Sequence, residues 1–149
     1  MTDYVQILPD ISEDITHWVC RGLNTGESWI GKHITYGFAL GNKMLGGLIF
    51  NDLRFNHDVW WTIYAEDKRW CNRNVLRKMF AAAFIDMGCR RINALIETDN
   101  LKSINLVKRL GFKQEGLLRQ YTEDGHDCYL FGMLKQECPW LKMKGKENE

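Results

Sequence analysis

No apolar run in this sequence is long enough to cross a bilayer, and no secretory leader pattern opens it. Neither a membrane helix nor export is therefore expected, which points to the cytoplasm. An excess of one charge sign is lacking too: 20 Lys and Arg stand against 19 Asp and Glu, a net charge of +1. A protein whose whole surface is a nucleic-acid footprint needs far more positive excess, so net charge lends a nucleic-acid partner no support beyond a local basic patch. Paired cysteine is missing as well. The five cysteines, Cys20, Cys71, Cys89, Cys128 and Cys138, are odd in number and form no CxxC or Cys/His ligand spacing. We expect reduced thiols, with no disulfide framework and no metal. Cys71 lies near two arginines that can lower a thiol pKa, although simple space-filling is the stronger reading. Internal repeats and low-complexity segments are absent.

What is present suits one packed domain. The 149 residues are 45% apolar and 26% charged, enough for a core and too few for two domains. We expect one domain over 1–141 and a charged, frayed tail over 142–149.

Taken in order, Tyr4 to Leu8 alternates like an edge strand that Pro9-Asp10 stops. Asp10 and Glu13 have capping-box spacing, and Ile11, Ile15, Trp18, Val19 and Leu23 form a helical stripe behind them. His17, on that helix, reads as an ordinary surface histidine. Ser28-Trp29-Ile30 is expected to form one helical turn in a connection. Strands follow at His33 to Leu40 and Met44 to Leu53, joined by a tight turn at Gly41-Asn42-Lys43. Gly46-Gly47 suggests a bulge or a close backbone approach. Asn51 to Asp58 reads as a polar loop and Val59 to Glu66 as a strand.

The stretch from Asp67 to Asn105 organises the rest. A basic loop, DKRWCNRN, leads into a helix whose apolar positions are Val75, Leu76, Met79, Phe80, Ala83, Phe84 and Met87. Gly88 suits a left-handed helix end. Arg91 to Glu97 is strand-like. Asp99-Asn100 can cap a second helix with Leu101, Ile104, Val107 and Leu110 as its stripe, ended by Gly111. A helix N-terminus carries roughly half a positive charge, and Arg69 and Arg73 add to it, so a phosphate-bearing ligand is the natural guest. Phe112 to Tyr121 and Cys128 to Leu134 then read as a hairpin turning at Asp124-Gly125, its second strand buried on both faces. The fold class is α/β (α+β): a mixed sheet of about seven strands with about four helices.

The run N-L-K-S-I-N-L-V-K-R-L-G-F-K-Q-E-G-L-L-R, Asn100 to Arg119, resembles the N-x-x-S-x-x-x-x-x-x-x-G-F-x-x-E-G-x-x-R pattern of the GNAT superfamily of N-acetyltransferases. The match is to the branch that holds the ribosomal-protein N-terminal acetyltransferases. A-F-I-D-M-G-C-R-R-I-N-A-L-I, Ala83 to Ile96, fits the same branch. The ending G-M-L-K-Q-E-C-P-W, with the W-C-N-R loop, is similar to members encoded by phages and prophages.

The resemblance implies a parallel strand pair that splays apart, here Val59 to Glu66 and Ile92 to Glu97. It implies that Ile63, Tyr64 and Ala65 hold the pantetheine of acetyl-CoA along their main chain. Arg69, Asn72, Arg73, Asn74 and Val75 would hold the pyrophosphate, with Asn100 and Ser103 facing the cofactor. It further implies an amine acceptor on a protein, a small molecule or a nucleobase, leaves a homodimer open, and leaves a catalytically silent binding module as the rival reading.

Two departures stand out. The family loop carries glycines, whereas this chain offers Trp70 and Asn72, or Asn72 and Asn74, at those places; asparagine tolerates the left-handed region best among the substitutes. Many members also carry a tyrosine acid where Val107 stands, with Ser103 the nearest replacement. Acetyl transfer needs a base to take the amine proton. Asp58 at its strand's start ranks first, ahead of Glu66 and Glu97 at strand ends, with His57 a rival of better intrinsic pKa.

Overall fold

The computed structural model describes residues 4–141; the expected tail lies outside the described residues. One sheet of seven strands runs through the molecule in the order β1-β2-β3-β4-β5-β7-β6. The strands are β1 (Gln6–Pro9), β2 (Ile34–Leu40), β3 (Lys43–Arg54), β4 (Asp58–Ala65), β5 (Arg91–Glu97), β6 (Lys113–Leu118) and β7 (Cys128–Leu134). All neighbours are antiparallel except β4 and β5, which are parallel. Helix α1 (Asp14–Gly22) follows β1, α2 (Arg73–Ala81) follows β4, and α3 (Leu101–Leu110) follows β5. A π-helical segment, Ala82–Asp86, prolongs α2, and 3-10 turns cover Lys68–Trp70 and Lys135–Glu137.

The period of two in the strands divides the helices between two faces. On β3, Leu48 and Phe50 face the core beneath α2 and α3, while Ile49 faces Val19 and Cys20 of α1. The larger core is built on aromatic rings. Phe80 of α2 stacks on Trp61 of β4 at 4.9 Å and lies parallel to Trp140 at 6.3 Å, and Phe112 meets Trp61 edge-on at 5.7 Å. Every apolar position assigned to α2 and its π extension is buried, and Gly88 follows at φ 69°.

Several local expectations are corrected. Helix α1 starts at Asp14, without a capping box: Glu13 sits at φ 71°, and the Asp10 carboxylate accepts from the amides of Ile15 at 3.0 Å and Thr16 at 2.8 Å. Ile11, left ahead of the helix, is 90% exposed. Residues 28–30 form a turn instead of a helical one. The polar segment 51–58 is mostly strand. β3 continues to Arg54, because buried Asn51 accepts a hydrogen bond from the Thr62 hydroxyl and buried Leu53 faces the core. The β6–β7 connection is longer than a tight hairpin and turns between Thr122 and Gly125. The Gly46-Gly47 expectation of close approach holds, since a Cβ on Gly46 would lie 2.9 Å from the Tyr64 carbonyl oxygen.

Gly111 ends α3 at φ 113°, with Phe112 buried beyond it. The indole N–H of Trp140 donates to the Leu110 carbonyl at 3.0 Å and closes the same helix end. Gly111→Val forces a β-branched residue into a left-handed conformation. It is expected to lower stability by more than about 1 kcal/mol; an unchanged denaturant midpoint would contradict the strain.

Candidate active site

The β4–β5 ladder is short. Asp58, Val59 and Trp60 pair with Arg91, Ile92 and Asn93, and the two strands then part. Each keeps its outer partner: β4 stays paired with β3 as far as Ala65, and β5 with β7 as far as Glu97. Two inner edges are thereby left facing each other across a groove of about 400 Å³. Trp61 to Ile63 and Ala94 to Glu97 form its walls, and Asn100, the N-cap of α3, with Ser103, Leu106 and Val107 of that helix, also lines it. Backbone donors and acceptors left open in this way need a partner. An extended ligand can supply one by adding itself as a strand.

Of the expected pantetheine positions, the Ile63 side chain lines the groove. Tyr64 points to the other face, where its ring meets Trp18 at 5.2 Å and its hydroxyl donates to Glu66 at 2.7 Å. Glu66, a candidate base, is thus occupied by Tyr64, and the shared bond raises the tyrosine pKa. Ala65 packs against the larger core.

The loop after β4 explains how the chain manages without glycine. Trp70, at a glycine position in one of the two registers, is buried and stacks on Phe38 at 5.6 Å, so it belongs to the core. Asn72 does not adopt the left-handed conformation. At φ −122° it is the N-cap of α2, its side-chain oxygen accepting from the Val75 amide at 3.0 Å. That amide is therefore taken, while those of Arg73 and Asn74, at the first two helical positions, have no acceptor within the helix.

The two arginines also differ. Arg69 is bound to Asp67, with Nη2 to Oδ2 at 2.8 Å, and Lys43 reaches the same carboxylate at 3.0 Å. These partners hold Asp67 well below the usual carboxylate range. Arg73 is exposed and forms no ion pair among the described residues. Cys71 is not activated: burial pushes its thiol up, against only a weaker opposing pull from Arg109. That pull places Arg109's charge near this loop, which the sequence did not suggest.

The candidate carboxylates fall in different places. Asp58 lies at the closed end of the parallel pair and lines a different cavity. Its Oδ1 accepts from Arg54 at 2.7 Å and its Oδ2 from Asn93 at 3.0 Å. The Arg54 bond, followed by the Asn93 bond, lowers its pKa against the effect of burial. His57 lines that same cavity. Glu97 instead lines the groove, as does Asp99. The Glu97 carboxylate lies 2.9 Å from Nδ1 of His126, in the β6–β7 connection, and raises that histidine's pKa. No local pattern in the sequence marks His126 as a site residue. Ser103 and Asn100 also line the groove, Asn100 capping α3 by accepting from the Ser103 amide at 3.2 Å. Val107 lines it with an apolar side chain where an acid would stand.

Residues 17–129 match the model of the acetyltransferase (GNAT) domain family. The chain is 33% identical over 102 residues to an uncharacterized N-acetyltransferase, YoaA, of Bacillus subtilis, covering 62% of this chain and 56% of that one. It is 38% identical over 65 residues to the uncharacterized N-acetyltransferase p20 of Bacillus licheniformis, covering 42% and 36%. It thus spans about a third to a little over half of these relatives' length. A dodecameric spermidine N-acetyltransferase from Vibrio cholerae superposes with a TM-score of 0.73 at 12% identity, over 91% of this chain and 96% of that one. Mycobacterium smegmatis RimJ, in complex with CoA-disulfide, does so with 0.61 at 22% identity, over 76% and 61%. At those identities the likeness is one of fold.

Asp58 supplies a pH test of its own assignment. Because its folded pKa is depressed, its ionised form stabilises the native state above the unfolded pKa of about 3.9, and this contribution is lost as pH falls through the folded value. Asp58→Asn should therefore melt lower than the parent at neutral pH, with the difference narrowing in acid. Melts across that range would show a constant difference if the ion pair contributed nothing.

Proposed function

The chain belongs to the acetyltransferase (GNAT) domain family, and from that premise we propose that it transfers the acetyl group of acetyl-CoA to a primary amine. The parting of β4 from β5 carries this reading. The pantetheine arm is an extended chain of amides, suited to the open main-chain edge at Ile63, Tyr64 and Ala65. The pyrophosphate suits the N-terminus of α2, where the free Arg73 and Asn74 amides and the Arg73 guanidinium offer donors to one anion. Arg69 can join them by exchanging Asp67 for phosphate. Asn100 and Ser103 flank the arm, and no metal is required.

Chemistry in the groove follows from the same placement. The amine must lose a proton to attack, since a free alkyl amine has a pKa of about 10.4. Glu97 is the groove-lining carboxylate we assign as base, with His126 beside it to hold and relay the proton. Nitrogen attacks the thioester carbonyl, a β4 amide donates to the developing oxyanion, and the carbon–sulfur bond breaks. With a thiol pKa of about 8.5, the thiolate leaves without strong acid assistance. Ser103 is the only hydroxyl on the α3 wall, and Val107 is tolerated for that reason.

Glu97 and Asp99 make the groove mouth acidic, which favours a cationic amine acceptor. The spermidine acetyltransferase neighbour is consistent with such a class, and a protein N-terminus or a nucleobase amine is the alternative. A cytoplasmic location and assembly into oligomers accord with this reading. A phage or prophage source rests on the Gly132–Trp140 and Trp70–Arg73 motifs alone. The rival, a silent GNAT-fold module, draws on Trp70 and Val107, which replace a loop glycine and an acid.

Acetyl-CoA at ~100 times its Kd should add about 2.7 kcal/mol to stability; no thermal shift at millimolar acetyl-CoA would favour the silent module. Arg73→Glu should lower acetyl-CoA affinity more than about tenfold, since repulsion replaces a charge-assisted bond. The ligand-free melting temperature should hold or rise, because acid in a first turn suits the helix dipole. Unchanged affinity in calorimetric titration would remove Arg73 from the pyrophosphate site. Glu97→Gln should lower kcat by roughly a hundredfold or more while sparing acetyl-CoA affinity. A kcat within a factor of two of the parent would reassign the base.

A further inference from the structure

The closed end of the parallel pair carries a second cavity, of about 510 Å³, that the acetyl-transfer reading leaves unused. Arg54, Arg90, Arg91 and Lys135 line it, together with His57, and Asp58 is its one carboxylate. Four permanent cations line it; Asp58 offsets Arg54 and Glu115 offsets Arg91, which leaves Arg90 and Lys135 as the excess positive charge. Asp58 is already committed to Arg54 and Asn93, and Arg91 to Glu115 at 2.6 Å. Among the described residues, the side chains of His57, Arg90 and Lys135 have no hydrogen-bond or ion-pair partner.

These three come from separate segments, and the main chain joins them in series. The Arg90 amide donates to the His57 carbonyl at 2.8 Å, and the Lys135 amide donates to the Arg90 carbonyl at 3.0 Å. A third bond, from the Asn56 amide to the Met87 carbonyl at 2.9 Å, ties the β3–β4 turn to the same frame. The backbone under the three donors is thus fixed, while the donors themselves are uncommitted. Like charges gathered on a rigid frame repel one another unless an anion sits among them.

We propose that this cavity binds a phosphate dianion, free or as the terminal phosphate of a small ester such as a mononucleotide. His57, Arg90 and Lys135 are the primary donors, and Arg54 and Arg91 supply field. A guanidinium offers two parallel N–H bonds to phosphate oxygens, and an ammonium adds a point charge. The volume suits a molecule of mononucleotide size, and the chain's near-neutral total charge disfavours a long nucleic acid. The site is distinct from the acetyl-CoA groove. On β4 the cavity is lined by Asp58 and the groove begins at Trp61, three residues or about 10 Å further on at about 3.3 Å per residue.

The test is calorimetric titration of the full chain with inorganic phosphate and with AMP, each with and without saturating acetyl-CoA. Both ligands, or whichever of the two sources is the physiological one, should bind in the presence of acetyl-CoA. Arg90→Glu and Lys135→Glu should each weaken that binding by at least about tenfold and leave acetyl-CoA affinity and the melting temperature unchanged. Acetate at equal concentration should not compete. The proposal fails if neither phosphate nor AMP binds, if acetyl-CoA displaces them, or if both variants bind them as the parent does. It also fails if a single-stranded oligonucleotide binds where AMP does not.

Discussion

The structure depends on one interruption: the hydrogen-bonded ladder between β4 and β5 ends after Trp60 and Asn93. The other neighbouring strands stay paired along most of their length. Here two central strands keep their outer neighbours and turn unpaired edges toward each other. The parting occurs where the Trp61 ring enters the core between Phe50, Phe80 and Phe112. Those rings also fix α2 against β4, so the groove and the helix N-terminus at its end are held in register by one aromatic cluster.

The loop shows how packing can replace backbone freedom. Glycines allow a chain to wrap closely round a phosphate, but this chain anchors the same loop by burying Trp70 against Phe38 and capping α2 with Asn72. The result is a fixed helix start with two amides and Arg73 left to solvent. Charge is arranged unevenly around this frame. Asp67 restrains Arg69 near the groove, whereas the opposite end of the strand pair gathers arginines about a single carboxylate.

Much of the fold was legible because periodicity reports burial. Val75 to Met87 repeat at helical spacing and are buried, and Gly111 stands where α3 ends in a left-handed residue. Segments failed where polar residues are buried in pairs. Asn51 satisfies Thr62, and Asp58 satisfies Arg54 and Asn93, so hydropathy read a loop across what is largely strand. Asp10 caps its helix from five and six residues away, outside the spacing of a capping box. In the site, the splayed strands were visible through family resemblance, and the helix after Asn100 through its capping residue. Which candidate carboxylates line the groove was not, because side-chain placement across strands is a long-range property: Glu97 lines it, and Asp58 lines the other cavity. The pairing of Glu97 with His126 spans 29 positions and leaves no local mark.

The central claim is that an extended ligand completes the interrupted ladder. Amide hydrogen exchange across the β4 segment Ile63 to Ala65 and the β5 segment Ala94 to Ile96, with and without acetyl-CoA, tests it most directly. The account predicts that acetyl-CoA slows exchange on these inner edges, while the already paired amides of β2 and β3 keep their rates. Unchanged exchange at both edges under saturating acetyl-CoA would contradict it.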